Sequence, residues 1–413
     1  MHRIHAAAGL GLALVAGCRG PAAAPEAVAP GAESGPGLAF VVGKLLTLDV
    51  QDRVFDPGLV LVRGRRIVYA GALVEVPDGF ERIDARSSWA WPGMVDLHTH
   101  IHGRGEDLND MVLPLNPELR ARPTFDPWDE RLAHARAAGV TTMFGIPGSG
   151  TSNSGFGLLY KPERDAGDEE MVLRDPGGMK IAQNFNPQRR GGDLGASWCG
   201  LAFNLEYLND RVHRLASEGR DDWKLGDLMR VHRGELPVLI HCASAEGVAD
   251  AIRMWKLRYG TQAVVSHGCW DGWHAAGFAA STGTPVNVGP RVENLLAMHR
   301  EDRFVGIADE YLKAGTPLVS LNTDSPVVPE EELFLQGAMS SRRGADSYEM
   351  LRALTTNPAR AFRIDERVGS LESGKDADLV LSTGDPLDPR SRIELVLIDG
   401  RVQYSRSEDG PIL

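Results

Sequence analysis

The alternation of apolar and polar positions divides the chain into two β-rich ends around a long strand–helix middle. From residue 38 to about 90, AFVVGKLLTL, GLVLVRG and RIVYAG are short apolar runs broken by Gly and Asp, a pattern that predicts strands and turns. The far end repeats it: DADLVLSTG, then IELVLIDGRVQYSR, two strands flanking a loop with Pro386 and Pro389. Neither end has enough strands to close a sheet alone. Pairing them buries both apolar faces, so residues 38–90 and 366–413 are expected to form one small discontinuous β-sandwich. Between them, over 91–365, the apolar runs GMVDLH, VTTMFGI, MKIAQ, PVLIHC, QAVVSHG, TPVNVGP and PLVSLNTD alternate with helical stretches at 127–138, 246–258, 271–281, 306–314 and 346–362. Repeated strand–helix units over this length predict an α/β chain with a (β/α)8 TIM-like barrel, its fourth strand falling between 195 and 235. A doubly wound open sheet is the alternative, but no Gly-x-Gly-x-x-Gly turn opens a helix here.

The first residues read as an address. Residues 6–17 (AAAGLGLALVAG) are too short to span a bilayer and suit the apolar core of a signal peptide covering 1–17. Val15-Ala16-Gly17-Cys18 resembles the bacterial lipobox, which makes Cys18 the expected lipid-anchor site. Residues 18–37, rich in Pro, Ala and Gly, are expected to be a disordered tether. Arg19 stands where an inner-membrane retention signal would place Asp, so the expected location is the cell envelope, on the outer membrane, with a periplasmic or secreted protein as the alternative. A net charge of −12 is the wrong sign for a phosphate-backbone binder, which excludes nucleic acid and leaves a small-molecule substrate as the expected partner. Four cysteines, one in the leader, make no disulfide framework.

Chemistry collects at the ends of the barrel runs. His98 and His100 end WPGMVDLHTH; residues two apart on a strand share a face, so both imidazoles point inward with Thr99 turned away. His241 ends PVLIH, His267 ends AVVSH, and Asp324 ends LVSLNTD. Four histidines and a carboxylate at strand C-termini fall on the face where such barrels carry their active sites. These N and O ligands suit zinc or a similar divalent ion. Lys180, one of seven lysines, lies within a strand, where its charge must be removed or paired. It is read as a carbamate bridging two metals, as a lysine neutralised by neighbours, or as one reaching a substrate carboxylate. His102 is expected in a loop or behind the ligands, and His134, His213, His232, His274 and His299 at the surface. Cys242 and Cys269 are read as packing residues, and GSGTSNSG as a flexible loop lining the substrate pocket rather than a serine-hydrolase elbow. Arg189, Arg190 and Arg291 are candidates to meet an anionic substrate.

PGMVDLHTH, the single histidines His241 and His267, Asp324 in NTDSP and the tail TTNPARAFRIDERVGSLESGKDADLVL together resemble the amidohydrolase superfamily over nearly all of 38–405. PGSGTSNSGFG and GMKIAQNFNP are most similar to its imidazolonepropionase-like branch, except that Asn184-Phe185-Asn186 stands where relatives carry a Glu. The resemblance implies one or two divalent ions, zinc above others. It places His98, His100 and Asp324 on a more buried metal and His241 and His267 on an outer one, bridged by Lys180 if carboxylated. Asp324 takes the proton of the attacking water. The expected function is extracytoplasmic hydrolysis of an amide or cyclic amide C–N bond. Ester, phosphoester or dipeptide hydrolysis on the same fold is one alternative, and a non-catalytic binding lipoprotein another.

Overall fold

The computed structural model describes residues 36–188, 197–290, 293–294 and 305–412. The expected signal peptide, Cys18, nearly all of the tether, Arg189, Arg190, Arg291 and His299 lie outside the described residues.

The two chain ends share one sheet. From the N-terminal side come β1 (Gly37–Leu46), β2 (Val54–Phe55), β3 (Gly58–Arg63), β4 (Arg66–Ala72) and β5 (Phe80–Pro92). The C-terminal side supplies β16 (Leu379–Ser382), β17 (Ile393–Ile398) and β18 (Arg401–Ser405). The order is β18-β17-β16-β5-β1-β3-β4, with β2 on β1, and the ends join where β5 runs antiparallel to β16 with Ala90 opposite Leu381. Phe40, Val42, Val60 and Val62 from one end bury against Leu379, Leu381 and Leu397 from the other. β5 escaped the sequence reading because FERIDARSS is charged and only its last residues are apolar. Its parallel pairing with β1 from Gly37 to Leu45 imposes the strand.

The middle forms a barrel-like sheet of β6 (Met94–Thr99), β7 (Val140–Gly145), β8 (Asn153–Tyr160), β9 (Val172–Ala182), β10 (Pro237–Cys242), β11 (Gln262–His267), β12 (Val286–Val288) and β15 (Val319–Leu321), in that order. β13 (Glu293–Asn294) and β14 (Val305–Gly306) make a separate pair. The fourth barrel strand does not lie where the sequence pattern places it. No strand lies among the described residues between 195 and 235. After the short helices α1 (Arg131–Ala137) and α2 (Asp168–Met171), this stretch folds as α3 (Trp198–Ser217) and α4 (Gly226–His232). Ser197 caps α3 by accepting from the Gly200 N–H, and Leu201, Leu205 and Val212 bury its inner face. The eighth strand is instead β8, antiparallel to both β7 and β9 and drawn partly from the Gly/Ser stretch read as a loop. Its glycines are there for close approach: a Cβ on Gly155, at φ +104°, would sit 2.6 Å from the Leu119 carbonyl oxygen.

Leu239 and Val264 face the same way as Lys180 and Ser266 by strand register, and pack with Val95, Leu97 and Phe144 onto Phe362, Ile364 and Val368 beyond the last barrel helix. β15 and β6 share no extended ladder. One parallel bridge, Thr99 to Ser325, and the His100 N–H donating to the Ser325 carbonyl at 2.8 Å connect them.

Past β8 the chain sends Lys161 into the terminal sheet. Its ammonium, almost fully buried, donates to Asp376 at 2.7 Å, Asp378 at 3.0 Å and Asp399 at 2.7 Å. Arg367 and Arg66 also hold Asp376, and Arg65 bridges Asp399 to the buried Glu163. Among the described residues no helix is long and apolar enough to cross a membrane.

Candidate metal centre

All six side chains singled out in the sequence converge at the C-terminal ends of the barrel strands. His98 lies on β6 and His100 just past its end, β9 supplies Lys180, β10 His241, β11 His267, and the turn after β15 Asp324. Asp324 Oδ1 lies 3.2 Å from Nε2 of both His98 and His100. Two sets of ligand atoms each fall within 4.8 Å of one another: His98, His241 and His267, and His98, His100 and Asp324. They overlap at His98, so the five groups form one cluster. Lys180 Nζ enters it at 3.2 Å from His98 Nε2 and donates to Ser149 Oγ at 3.0 Å.

One candidate ligand reaches the site against strand alternation. Ser266 faces the interior, its hydroxyl 2.6 Å from His98 Nδ1, so the next residue should face out. His267 instead takes a left-handed backbone, φ +75°, which swings its ring back toward the site. Asp324, on the inward parity of Ser320, also holds a left-handed backbone at φ +49°. Such conformations are uncommon and costly for residues other than glycine, and tend to gather at functional sites.

The four rings are oriented in the same way. Nδ1 of His98 meets Ser266 Oγ, that of His100 the Ile146 carbonyl at 2.9 Å, that of His241 Ser149 Oγ at 3.0 Å, and that of His267 the Gly289 carbonyl at 2.9 Å. With Nδ1 engaged, Nε2 is the atom left for the centre, and Nε2 of His267 is buried with no hydrogen-bond partner. Metal-binding histidines are held this way, the second nitrogen fixed by a hydroxyl, carboxylate or carbonyl. Imidazoles and one carboxylate fit a zinc-like divalent ion, so the residues present suit the group.

The electrostatics agree. Burial, reinforced by Lys180, pushes His98 well below the usual histidine range; burial and His267 do so for His241, and burial takes His267 to about 4. These three rings are thus neutral and able to donate lone pairs at neutral pH. Burial works against ionisation of Asp324, but His98 and His100 overcome it and hold the carboxyl well below its usual value. Burial draws Lys180 down to about 7, which leaves much of its amine neutral near physiological pH.

Behind the ligands lies a group the sequence reading missed. Asp96 accepts from the His98 N–H at 2.7 Å through one oxygen and from the Thr323 N–H and hydroxyl, at 2.9 and 2.7 Å, through the other. Glu330 takes the Thr99 hydroxyl at 2.8 Å and hydrogen bonds to Asp96. Burial raises both carboxyls above the ordinary range, and the charge of Asp96 adds to the rise at Glu330. Asp96 was detectable as a charge inside the apolar run GMVDLH. Ser149, Ser266 and Glu330 carried no such signal. His102, expected in a loop or behind the ligands, is fully buried with neither ring nitrogen partnered.

The amidohydrolase family profile matches residues 230–404. Among curated proteins, the chain is 25% identical to the imidazolonepropionase of Brucella abortus over 83% of this chain and 91% of that one. It is 23% identical to amidohydrolase tasK of Hapsidospora irregularis over 82% of its own residues, but spans only 38% of that protein's length. Among solved structures, an amidohydrolase from Thermotoga maritima MSB8 superposes with a TM-score of 0.80 and 31% identity, covering 89% of this chain and 100% of that one. A barrel whose strand ends gather four histidines, a lysine and an aspartate, and which matches this relative along its full length, belongs to the amidohydrolase family.

Proposed function

We propose that the protein is a metal-dependent hydrolase that opens an amide or cyclic amide C–N bond outside the cytoplasm. The supporting observation is the common orientation of the four imidazoles, each with Nδ1 engaged by a hydroxyl or a carbonyl, which leaves Nε2 for the centre. His98, His100, His241, His267 and Asp324 would hold the metal, with zinc the best chemical fit. A divalent ion there acidifies water and polarises the scissile carbonyl. Asp324, ionised and touching two of the imidazoles, accepts a proton from the attacking water and returns it to the departing nitrogen.

Lys180 has two roles open to it in this reading. Its neutral amine is the form that combines with CO2, and the resulting carbamate would ligate a second ion beside His241 and His267. Left unmodified, it offers its ammonium to a substrate carboxylate. The relatives bearing the name imidazolonepropionase support a cyclic amide as one substrate type. An address outside the cytoplasm favours scavenged amides such as N-acyl amino acids or lactam-like compounds. Residues 6–17 and Cys18 support that address, and loss of membrane association in Cys18→Ser tests it.

The decisive experiment pairs metal content with turnover on an amide panel. The leaderless protein should retain at least one transition-metal ion per chain, two if Lys180 is carboxylated, and Asp324→Asn should lower turnover by about a hundredfold or more while leaving the circular dichroism spectrum unchanged. Near wild-type turnover in Asp324→Asn overturns the mechanism, and failure to take up any metal on titration overturns the reading as a whole.

A further inference from the structure

The loops that follow the strands of the candidate metal centre expose several large apolar side chains. Phe185 follows Lys180 by five residues at the end of β9, and Trp270 follows His267 by three at the end of β11. The strand between them, β10, carries His241. The two rings nevertheless meet edge to face, with centroids 4.1 Å apart, so the pair must reach across the end of β10 just beyond that ligand. Phe185 is 53% exposed and Trp270 37%.

Both residues also hold left-handed backbone, φ +75° at Phe185 and +56° at Trp270. For bulky aromatics this is a rare conformation, kept only where surrounding structure enforces it. That enforcement is visible. Asn184 is buried, donates to Ser244 Oγ at 3.1 Å and lies so close to Gly247 that a Cβ there would come within 2.4 Å of its Nδ2. On the other side, Asp271 accepts from the Ala245 N–H at 3.2 Å, and a Cβ on Gly272 would come within 2.7 Å of the Ala243 carbonyl oxygen. Each ring therefore projects from a backbone clamped onto the segment that follows His241.

Two more loops that follow ligand-bearing strands expose apolar side chains. Met111, 52% exposed, lies against Gly150, next to Ser149, whose hydroxyl touches both His241 and Lys180. Val327, 59% exposed, follows Asp324 by three residues. Apolar surface held at a cost next to a polar centre marks a place where an apolar group is taken out of water.

We propose that the substrate carries a flat apolar substituent, an aromatic ring above all, next to the scissile carbonyl, and that Phe185 and Trp270 bind it and set this specificity, with Met111 and Val327 completing the apolar rim. The edge-to-face pair presents both a ring face and a ring edge, the two surfaces against which another aromatic packs well. The inference rests on the metal-dependent reading given above and adds the substrate class to it. It also gives the Asn184-Phe185-Asn186 segment a role: the buried Asn184 anchors an aromatic wall.

The test uses two metal-binding probes that differ only in the substituent, phenylacetohydroxamic acid and acetohydroxamic acid, titrated calorimetrically into the zinc-loaded protein. The phenyl probe should bind at least tenfold more tightly and should quench tryptophan fluorescence. In Phe185→Asn and Trp270→Asn, which keep a residue type tolerant of positive φ at each site, the preference should fall to within about threefold of unity. Equal affinities in the unaltered protein, or a preference that survives both substitutions, overturn the aromatic wall and leave the metal site standing. If neither probe binds zinc-loaded protein, the metal reading fails and the proposal falls with it.

Discussion

Each of the four imidazoles at the centre is held through Nδ1 by a partner from a different part of the chain: two serine hydroxyls and two backbone carbonyls. The carbonyls are part of the fold and survive any side-chain change. The serines are not, and Ser149 serves two masters, His241 and Lys180. Removing its hydroxyl frees the His241 ring to rotate and strips the Lys180 amine of a partner. Ser149→Ala should therefore weaken metal affinity by about 10–100-fold, read by competition with a chromogenic chelator, with little change in melting temperature of the metal-free protein. The convergence of these side chains was legible in the sequence because a histidine or aspartate closing a buried apolar run needs a reason to be there. Their orienting partners were not. A serine in a Gly/Ser stretch or one position before a histidine looks like any other serine until the fold sets it against a ring. Strand parity was a partial guide: it predicts Ser266 facing inward and would have sent His267 outward, had the backbone not turned left-handed.

Among the elements, the loop after β8 couples the barrel to the terminal sheet through Lys161. Three aspartates, Asp376, Asp378 and Asp399, come from the C-terminal end of the chain and meet this single buried ammonium. Removing it leaves carboxylates buried without their counter-charge, a loss of about 3–5 kcal/mol when one partner of a buried pair is deleted. Lys161→Met should lower stability to chemical denaturation by that order, a larger effect than the loss of any exposed ion pair. Glu163 nearby behaves differently. Burial and the charge of Asp399 raise its carboxyl to about 7, above the value it has when unfolded. A group shifted in that direction contributes stability that is complete below its unfolded pKa, about 4.5, and is lost as pH rises through about 7. The melting temperature should consequently decline between pH 5 and 7.5, and decline less in Glu163→Gln. Of the elements, the parallel strands were readable from their apolar runs. β8 and α3 were not: glycines serving close approach are indistinguishable by composition from a flexible loop, and α3 exposes so much polar surface that its buried stripe of Leu201, Leu205 and Val212 is thin.

For the whole molecule, the arrangement of ligands around the barrel matters as much as their identity. β6, the first strand, carries His98 and leads directly into His100; Asp324 follows β15, the last. These two strands are the pair that shares a single bridge rather than a ladder. Asp96 already spans the gap from beneath, accepting from backbone on both sides. An ion ligated by His98, His100 and Asp324 would span it from above. Metal binding to the native state alone adds stability by mass action, about 2.7 kcal/mol at a free concentration one hundred times the dissociation constant. Chelation should therefore lower the melting temperature, and the increase in amide hydrogen exchange should be concentrated in β6 and β15, with β10 and β11 little affected. Uniform loss of protection across the sheet would argue against this coupling. If the ion is the fastener of the barrel's seam, then a chain stripped of metal is more than an idle enzyme. Its first and last strands can part, offering unpaired backbone to proteases and to other chains, so that in a metal-poor environment the protein would be cleared rather than stored.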